Sequence, residues 1–497
     1  MRGAGSLVRR RPRRSPCRLL ADAEAGRAAA GRDPRPGRGD PCLPLCGAGC
    51  RSRIKRGAVQ RLAPCREGSL HLQRGGAAAG AVPGRLRRPH ALRRRFRQRA
   101  PVLGPGTGRC FPAGSRSPQT EEGGLIVRIP FLRPNPARLS KLLPGLEAIE
   151  ASGTFTNYGP VNSRFEAEAT AKFFGGRGGC LTVNNATIGL MLALREAAGE
   201  APRGATRYAL MPSFTFAATA HAAIWAGLTP LLCDIDPDRW TPCARSEDAL
   251  LERYAGQIAV VMPYATFGNG LDLDRYAALA RRHGVGIVVD AAASLGSIDD
   301  SSQGFGTGFP HAIVYSMHAT KTFATAEGGL IYCDDTERLA RLRTMGNFGF
   351  GEPRTATMPG LNSKLSEAGA LLALAKLEGF EQIVAHRAAL ADAYRHGLPG
   401  CRFQQVVGRQ IAYQFMPVSM PADHPGPRAA LLASLAAAGV AAGHYFSPHL
   451  AEQPYFQRVS EIAELPVTER VASRILSLPL ADSMTVAEVE MVCAAVR

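Results

Sequence analysis

No run in the chain approaches the ~18 uninterrupted apolar residues that a membrane-spanning helix needs. No apolar stretch follows the basic start at Arg9-Arg10-Arg11 either, so neither a span nor a secretory signal is expected. Acidic residues are scarce in one place only. Residues 1–125 hold 7 Asp+Glu against 28 Lys+Arg, a net of +21, whereas residues 126–497 hold 34 against 32, a net of −2. The overall charge of +19 therefore belongs to a basic extension on a near-neutral body, and it does not mark the body as a nucleic-acid binder. Disulfide or zinc spacing is absent from the body as well. Cysteines such as Cys180, Cys233 and Cys333 sit in apolar runs, where the thiol packs as a small hydrophobe, and this fits a reducing cytoplasm.

Residues 1–125 are Arg, Gly, Ala and Pro in irregular order, with no helical or alternating apolar period. Such a composition cannot bury enough surface to offset chain entropy, so a disordered extension is expected. Three readings compete for it. A solvated tail, or a stretch upstream of the true translation start, is favoured. A nucleic-acid arm would centre on Arg93-Arg94-Arg95-Phe96-Arg97, where one aromatic is thin interleaving. A metal knuckle from Cys42, Cys46 and Cys50 has no nearby histidine to complete it, and Pro44 opposes the helix that would align it.

From Ile129 onward, short apolar runs alternate with helical patterns. Tyr208–Phe214, Pro230–Ile235, Ile258–Tyr264, Gly286–Ala291, Ala312–Met317 and Gly329–Cys333 read as buried strands, and Ala217–Ala226, Leu273–His283 and Glu337–Thr344 as helices between them. This alternation predicts an α/β fold with a mostly parallel sheet covered on both faces. Ligands on such sheets bind at the carboxyl ends of the strands. A long helix over Leu377–Arg395 and mixed short elements beyond it predict a second, smaller domain. The expected division is 1–125, 126–375 and 376–497.

Four features fall at strand ends. Lys321, in Ser316-Met317-His318-Ala319-Thr320-Lys321, follows a predicted strand, where desolvation would make its amine a nucleophile toward an aldehyde. Taken alone it reads as a surface lysine. Asp290 closes the apolar run Val288-Val289, where a carboxylate needs a buried cation such as a protonated pyridine nitrogen, although it could equally cap a helix. Asn185-Ala186-Thr187 precedes a helical run at Ile188–Ala198, and free backbone N–H groups there would seat a phosphate, or Asn185 and Thr187 merely cap the helix. Phe214 and Phe216, in Pro212-Ser213-Phe214-Thr215-Phe216, could stack on a flat ring or belong to the core.

The order and spacing of these features resemble the DegT/StrS-type aminotransferases of nucleotide-sugar biosynthesis over residues 128–497. Thr156-Asn157-Tyr158-Gly159-Pro160 is similar to the family's early Thr-x-x-Gly-Pro turn, and Asn185-Ala186-Thr187 to its Ser-Gly-Thr phosphate loop. Pro212–Thr219 resembles its Pro-x-x-Thr-aromatic segment, Asp290-Ala291-Ala292 its Asp-Ala-Ala, and Ser316-x-His318-x-Thr320-Lys321 its Schiff-base loop. Gly360-Leu361-Asn362-Ser363-Lys364 resembles its Gly-x-Asn-Ser-Arg, and Leu476-Ser477-Leu478-Pro479 its Leu-Ser-Leu-Pro tail.

The resemblance implies the fold-type-I (aspartate aminotransferase-like) architecture and pyridoxal 5'-phosphate (PLP) as cofactor. Lys321 would form the Schiff base and shuttle a proton, Asp290 would pair with the pyridine nitrogen, and Phe216 would stack on the ring. Ala186, Thr187, Ser316 and an Asn362 reaching across from a second subunit would hold the phosphate, which implies a homodimer. The implied reaction moves an amino group from L-glutamate to the keto group of a nucleotide-linked keto-deoxy sugar.

The sequence departs from that pattern at four positions. Ala293 and Leu295 stand where the family has Gln or His and a further His, Lys364 replaces the final Arg, and Thr322 follows the lysine in place of Asn. Two other readings stand beside transamination. One is a PLP-dependent dehydration or cyclisation on the same fold, against which Lys321 counts because family dehydratases carry histidine there. The other is a nucleic-acid-associated regulator led by the extension, with salt-sensitive binding.

Overall fold

The computed structural model describes residues 128–497 apart from 201–205, 422, 423 and 425. The extension, with Cys42, Cys46, Cys50 and the Arg93–Arg97 run, lies outside the described residues.

Eleven strands form among the described residues, in chain order: β1 Gly179–Val183, β2 Tyr208–Pro212, β3 Thr229–Cys233, β4 Ile258–Val261, β5 Gly286–Asp290, β6 Ala312–Ser316, β7 Gly329–Cys333, β8 Arg402–Phe403, β9 Met416–Ser419, β10 Glu461–Ile462 and β11 Ile475–Leu478. Eight of them make one sheet in the order β1-β7-β6-β5-β4-β2-β3-β10. Pairing is parallel from β6 through to β10 and antiparallel where β7 meets β6 and β1. β7 returns antiparallel to β6 through residues 317–328, a connection that carries Lys321 and holds no helix.

Each central strand is apolar on both sides because both faces are covered. In β5, Ile287 and Val289 enter one core with Phe165, Phe173 and Phe380, while Val288 enters another with Leu190 and Leu194. The helix Ala186–Ala198 packs across the middle of that second face. β11, β9 and β8 form a separate three-stranded antiparallel sheet. It shares a core of its own with the helices Phe380–Gly397 and Val486–Val496, through Leu390, Tyr394, Val418, Leu476 and Val489. Ile129 joins this lobe by a parallel bridge to Val440.

All six expected strands form, but Tyr208–Phe214 and Ile258–Tyr264 stop at Pro212 and Val261, where the chain peels away to line a cavity. The expected helix Leu377–Arg395 is a correction. Glu367–Leu377 is one helix and Phe380–Gly397 the next, broken at Gly379, whose φ of 71° is left-handed and suits glycine. Apolar periodicity continues across the break, which is why the pattern read as one element.

Candidate active site

The carboxyl ends of β2, β5 and β6 and the N-terminus of the helix Ala186–Ala198 surround a cavity of about 840 Å³. Six of the seven residues singled out in the sequence line it: Ala186, Thr187, Phe216, Asp290, Ser316 and Lys321. Asn362 does not. It is exposed, in an isolated antiparallel bridge with Asn347.

At the helix start the capping and anion-seat readings coexist. Asn185 is the N-cap, and its side-chain oxygen accepts from the Ile188 N–H at 3.0 Å. The N–H groups of Ala186 and Thr187 have no acceptor among the described residues, so two free donors and the positive helix end face the cavity. Gly329 of β7 lies directly behind, where a Cβ would sit 2.8 Å from the Ala186 nitrogen. The seat exists because that strand position carries no side chain.

Asp290 ends β5 and is 3% exposed. Thr219 donates to its Oδ2 at 2.7 Å, the Ala292 N–H donates to Oδ1 at 3.1 Å, and Thr215 meets the Thr219 hydroxyl at 2.8 Å. Burial raises the carboxyl above its ordinary range, against the opposing pull of Thr219, Ala292 and the nearby Lys321 charge. A cationic group placed against Asp290 would relieve that burial cost.

Lys321 follows β6 in a loop fixed at several points. Thr322 directs its hydroxyl at the carbonyls of Ala412 and Tyr413, at 3.0 and 2.9 Å, and Thr325 donates to the Met317 carbonyl at 2.7 Å. His318 Nδ1 and the Thr320 hydroxyl are 2.8 Å apart. The Lys321 amine donates to Gln414 Oε1 at 3.0 Å. Burial pushes the amine down to about 8, with Asp290 opposing, so roughly a tenth of it is neutral at pH 7, far more than for an exposed lysine.

This donor set fits PLP: two unpaired amides for a phosphate, a buried carboxylate for a ring cation, an amine for the aldehyde, and the 55%-exposed ring of Phe216 on the cavity wall. The departures from the family pattern are explained by packing. Ala293 and Leu295 are buried, and Leu295 belongs to the sheet core, so neither offers a polar contact to the cavity. Lys364 donates to Asn347 Oδ1 at 3.0 Å and sits 4.6 Å from the centre of the Phe348 ring.

The second wall was not anticipated. Leu132, Gln414, Phe415, Tyr445 and Phe446 line it together with Tyr264 and Phe267, and most of these rings pack on one another. Thr219 ends the Pro212–Thr219 segment, where the sequence alone assigns it no role. For Gln414 no local signal exists, since it is one polar residue between Tyr413 and Phe415.

Comparison with known proteins agrees with this chemistry. The family model described as "DegT/DnrJ/EryC1/StrS aminotransferase family" matches residues 140–497. Protein MT3510 of Mycobacterium tuberculosis (strain CDC 1551 / Oshkosh) is 34% identical over 399 residues, covering 79% of this chain and 95% of that protein. The dTDP-4-amino-4,6-dideoxy-D-glucose transaminase of Shigella dysenteriae is 28% identical, covering 73% of this chain and 97% of that one. Among solved structures, a Bacillus cereus ATCC 10987 protein described as a PLP-dependent aminotransferase is 38% identical with a TM-score of 0.70, covering 74% of this chain and 99% of its own.

Proposed function

This chain belongs to the DegT/DnrJ/EryC1/StrS aminotransferase family and is a PLP-dependent aminotransferase, and on that premise we propose that it moves an amino group from L-glutamate to the keto group of a nucleotide-linked keto-deoxy sugar. The observation that carries the site assignment is the convergence of the Lys321 amine, the Asp290 carboxylate and the free Ala186 and Thr187 amides on one cavity. The sugar acceptor rests on the likeness to the Shigella dysenteriae transaminase, whose own name specifies an amino-dideoxy sugar nucleotide.

Bound there, PLP supplies an electron-withdrawing ring that acidifies the substrate α-carbon and carries the amino group between half-reactions. Asp290, anchored by Thr219, holds the ring nitrogen protonated. Ala186, Thr187 and Ser316 fix the phosphate, and Phe216 covers the ring face. Lys321 Nζ, neutral in part because burial lowers its pKa, would take the proton from the donor α-carbon and pass it to the cofactor carbon that carries the aldehyde. The loop is held by Thr322, so the amine is placed by backbone ties and not by chance.

The reading extends to a homodimer in which Asn362 completes the phosphate site of the second subunit. Its exposed position outside its own cavity supports this, as do the 75%-exposed Trp225 at the rim and the 44%-exposed Phe348 near Lys364. A division into a cofactor domain, 126–375, and a smaller domain, 376–497, draws support from the separate sheet of β8, β9 and β11 with its own core, while β10 crosses over to pair with β3 and the helix Glu367–Leu377 spans the boundary. The free cysteines among the described residues fit a cytoplasmic setting, and no described helix is long and apolar enough to cross a membrane.

The test is the visible spectrum of the full chain with PLP, before and after L-glutamate. The expected result is a lysine-bound cofactor band that gives way to the amine form, and that returns when a nucleotide-linked keto sugar is added. A band unmoved by any amino donor would overturn the assignment.

A further inference from the structure

The residue that meets Lys321 comes from the far wall of the cavity, and nothing in the family-level reading gives it a task. Gln414 Oε1 accepts from the Lys321 amine at 3.0 Å, and both side chains line the cavity. Gln414 lies just ahead of β9 on a strap, residues 411–415, that is held from two sides. Below it, Thr322, the neighbour of Lys321, bonds the carbonyls of Ala412 and Tyr413. Above it, the buried guanidinium of Arg387 donates to the carbonyls of Tyr413, Gln414 and Leu480 at 2.9, 3.2 and 3.1 Å. Arg387 is fixed in turn by Asp482 at 2.5 Å, and Asp482 also meets Lys376 at 3.4 Å. Such a buried ionic cluster is costly to assemble, and it holds the strap rigidly once formed.

We propose that Gln414 is a positioning residue that docks the free amine of Lys321 whenever the lysine is not joined to cofactor, holding it beside the substrate carbon through the proton-transfer half of each cycle. The proposal rests on Lys321 being the reactive lysine. A carbonyl acceptor on a strap anchored in the other lobe keeps a four-carbon chain from sampling the rest of an 840 Å³ cavity. It also stabilises the protonated amine over the neutral one, so the identity of residue 414 sets the protonation balance of the base.

The test uses the full chain loaded with PLP and converted to the amine form by L-glutamate, which frees Lys321. An amine-reactive probe, trinitrobenzenesulfonate, is applied across a pH series, and labelling of the peptide containing Lys321 is quantified by mass spectrometry. Relative to wild type, Gln414→Glu is expected to move the labelling inflection to higher pH and Gln414→Leu to lower pH. Gln414→Asn, which keeps the amide and shortens its reach, should fall between wild type and Gln414→Leu. A parallel fall in kcat of about tenfold or more in Gln414→Leu, with little change in KM for glutamate, is the expected kinetic counterpart. Gln414→Glu retains the size and the strap contacts, so it keeps the experiment decisive should Gln414→Leu fold poorly. Inflections that coincide in wild type and Gln414→Glu would overturn the proposal and leave the aminotransferase reading intact. Labelling of the Lys321 peptide that is the same before and after the cofactor is converted to its amine form, by glutamate or any other amino donor, would instead refute the assignment of Lys321 itself.

Discussion

The two walls of the cavity are built on different terms. On the sheet wall each chemical group sits where backbone geometry puts it: Asp290 at the end of β5, Ser316 at the end of β6, and the Ala186 and Thr187 amides at a helix start. On the lobe wall Phe415, Tyr445 and Phe446 arrive from two segments about thirty residues apart and pack ring against ring. A wall of backbone ends and charges suits chemistry common to every substrate, and an aromatic wall suits packing against the acceptor.

That contrast can be broken by substitution. The largest expected effect is Lys321→Ala, which should lower amino transfer by roughly 10⁴-fold and abolish the lysine-bound band while PLP still binds noncovalently. Asp290→Asn comes next, with a loss of roughly 10²–10³-fold in both half-reactions because the ring nitrogen loses its counter-charge. An equal loss from substitutions on the lobe wall would erase the distinction. On the stability side, the folded amine of Lys321 titrates near 8 against its ordinary 10.5. The cofactor-free protein therefore bears a penalty on the order of 3 kcal/mol below pH 8 that fades as pH rises toward 10.5. Lys321→Met should raise the Tm of the cofactor-free protein at pH 7, and the gain should vanish in alkaline buffer.

Gly329→Ala places a methyl 2.8 Å from the Ala186 nitrogen. It should weaken PLP binding about tenfold by equilibrium dialysis, with the acceptor KM little changed. Asn362→Ala sharpens the comparison differently, by mixing with Lys321→Ala. If Asn362 serves the second subunit, each mixed dimer holds one intact site and an equal statistical mixture regains about a quarter of wild-type activity, whereas no site in the mixed dimer is intact if it serves its own. The smallest effect is Tyr445→Ala, a few-fold rise in KM for the keto acceptor with less change for glutamate. Equal rises for both would assign the aromatic wall to general packing.

The same division explains what could be read from the sequence. Asp290, Lys321 and Phe216 were legible because each follows an apolar run that must be a strand, and strand ends are where ligands bind. The helix break at Gly379 was hidden because burial keeps the same apolar spacing on both sides of it. Gln414 was illegible for a different reason: its role depends on which strap crosses Lys321, a long-range fact that no local pattern encodes. The lost polar contacts at Ala293 and Leu295 were visible as departures, yet only the packing shows both positions turned into the core.

The stitch between the first described residues and the last lobe has a consequence for assembly. Arg133 binds Glu488 across 355 residues, Asn135 binds Asp482 across 347, and Leu132 just ahead of them forms part of the cavity wall. The sheet from β1 to β7 is complete in the chain by Cys333 and can begin to order while synthesis continues. The entry segment must wait for the final residues to emerge, so loop closure over almost the whole body comes last. A ribosome-bound nascent chain halted before residue 488 would therefore carry its lysine, carboxylate and anion seat in place and still lack an enclosed reaction chamber.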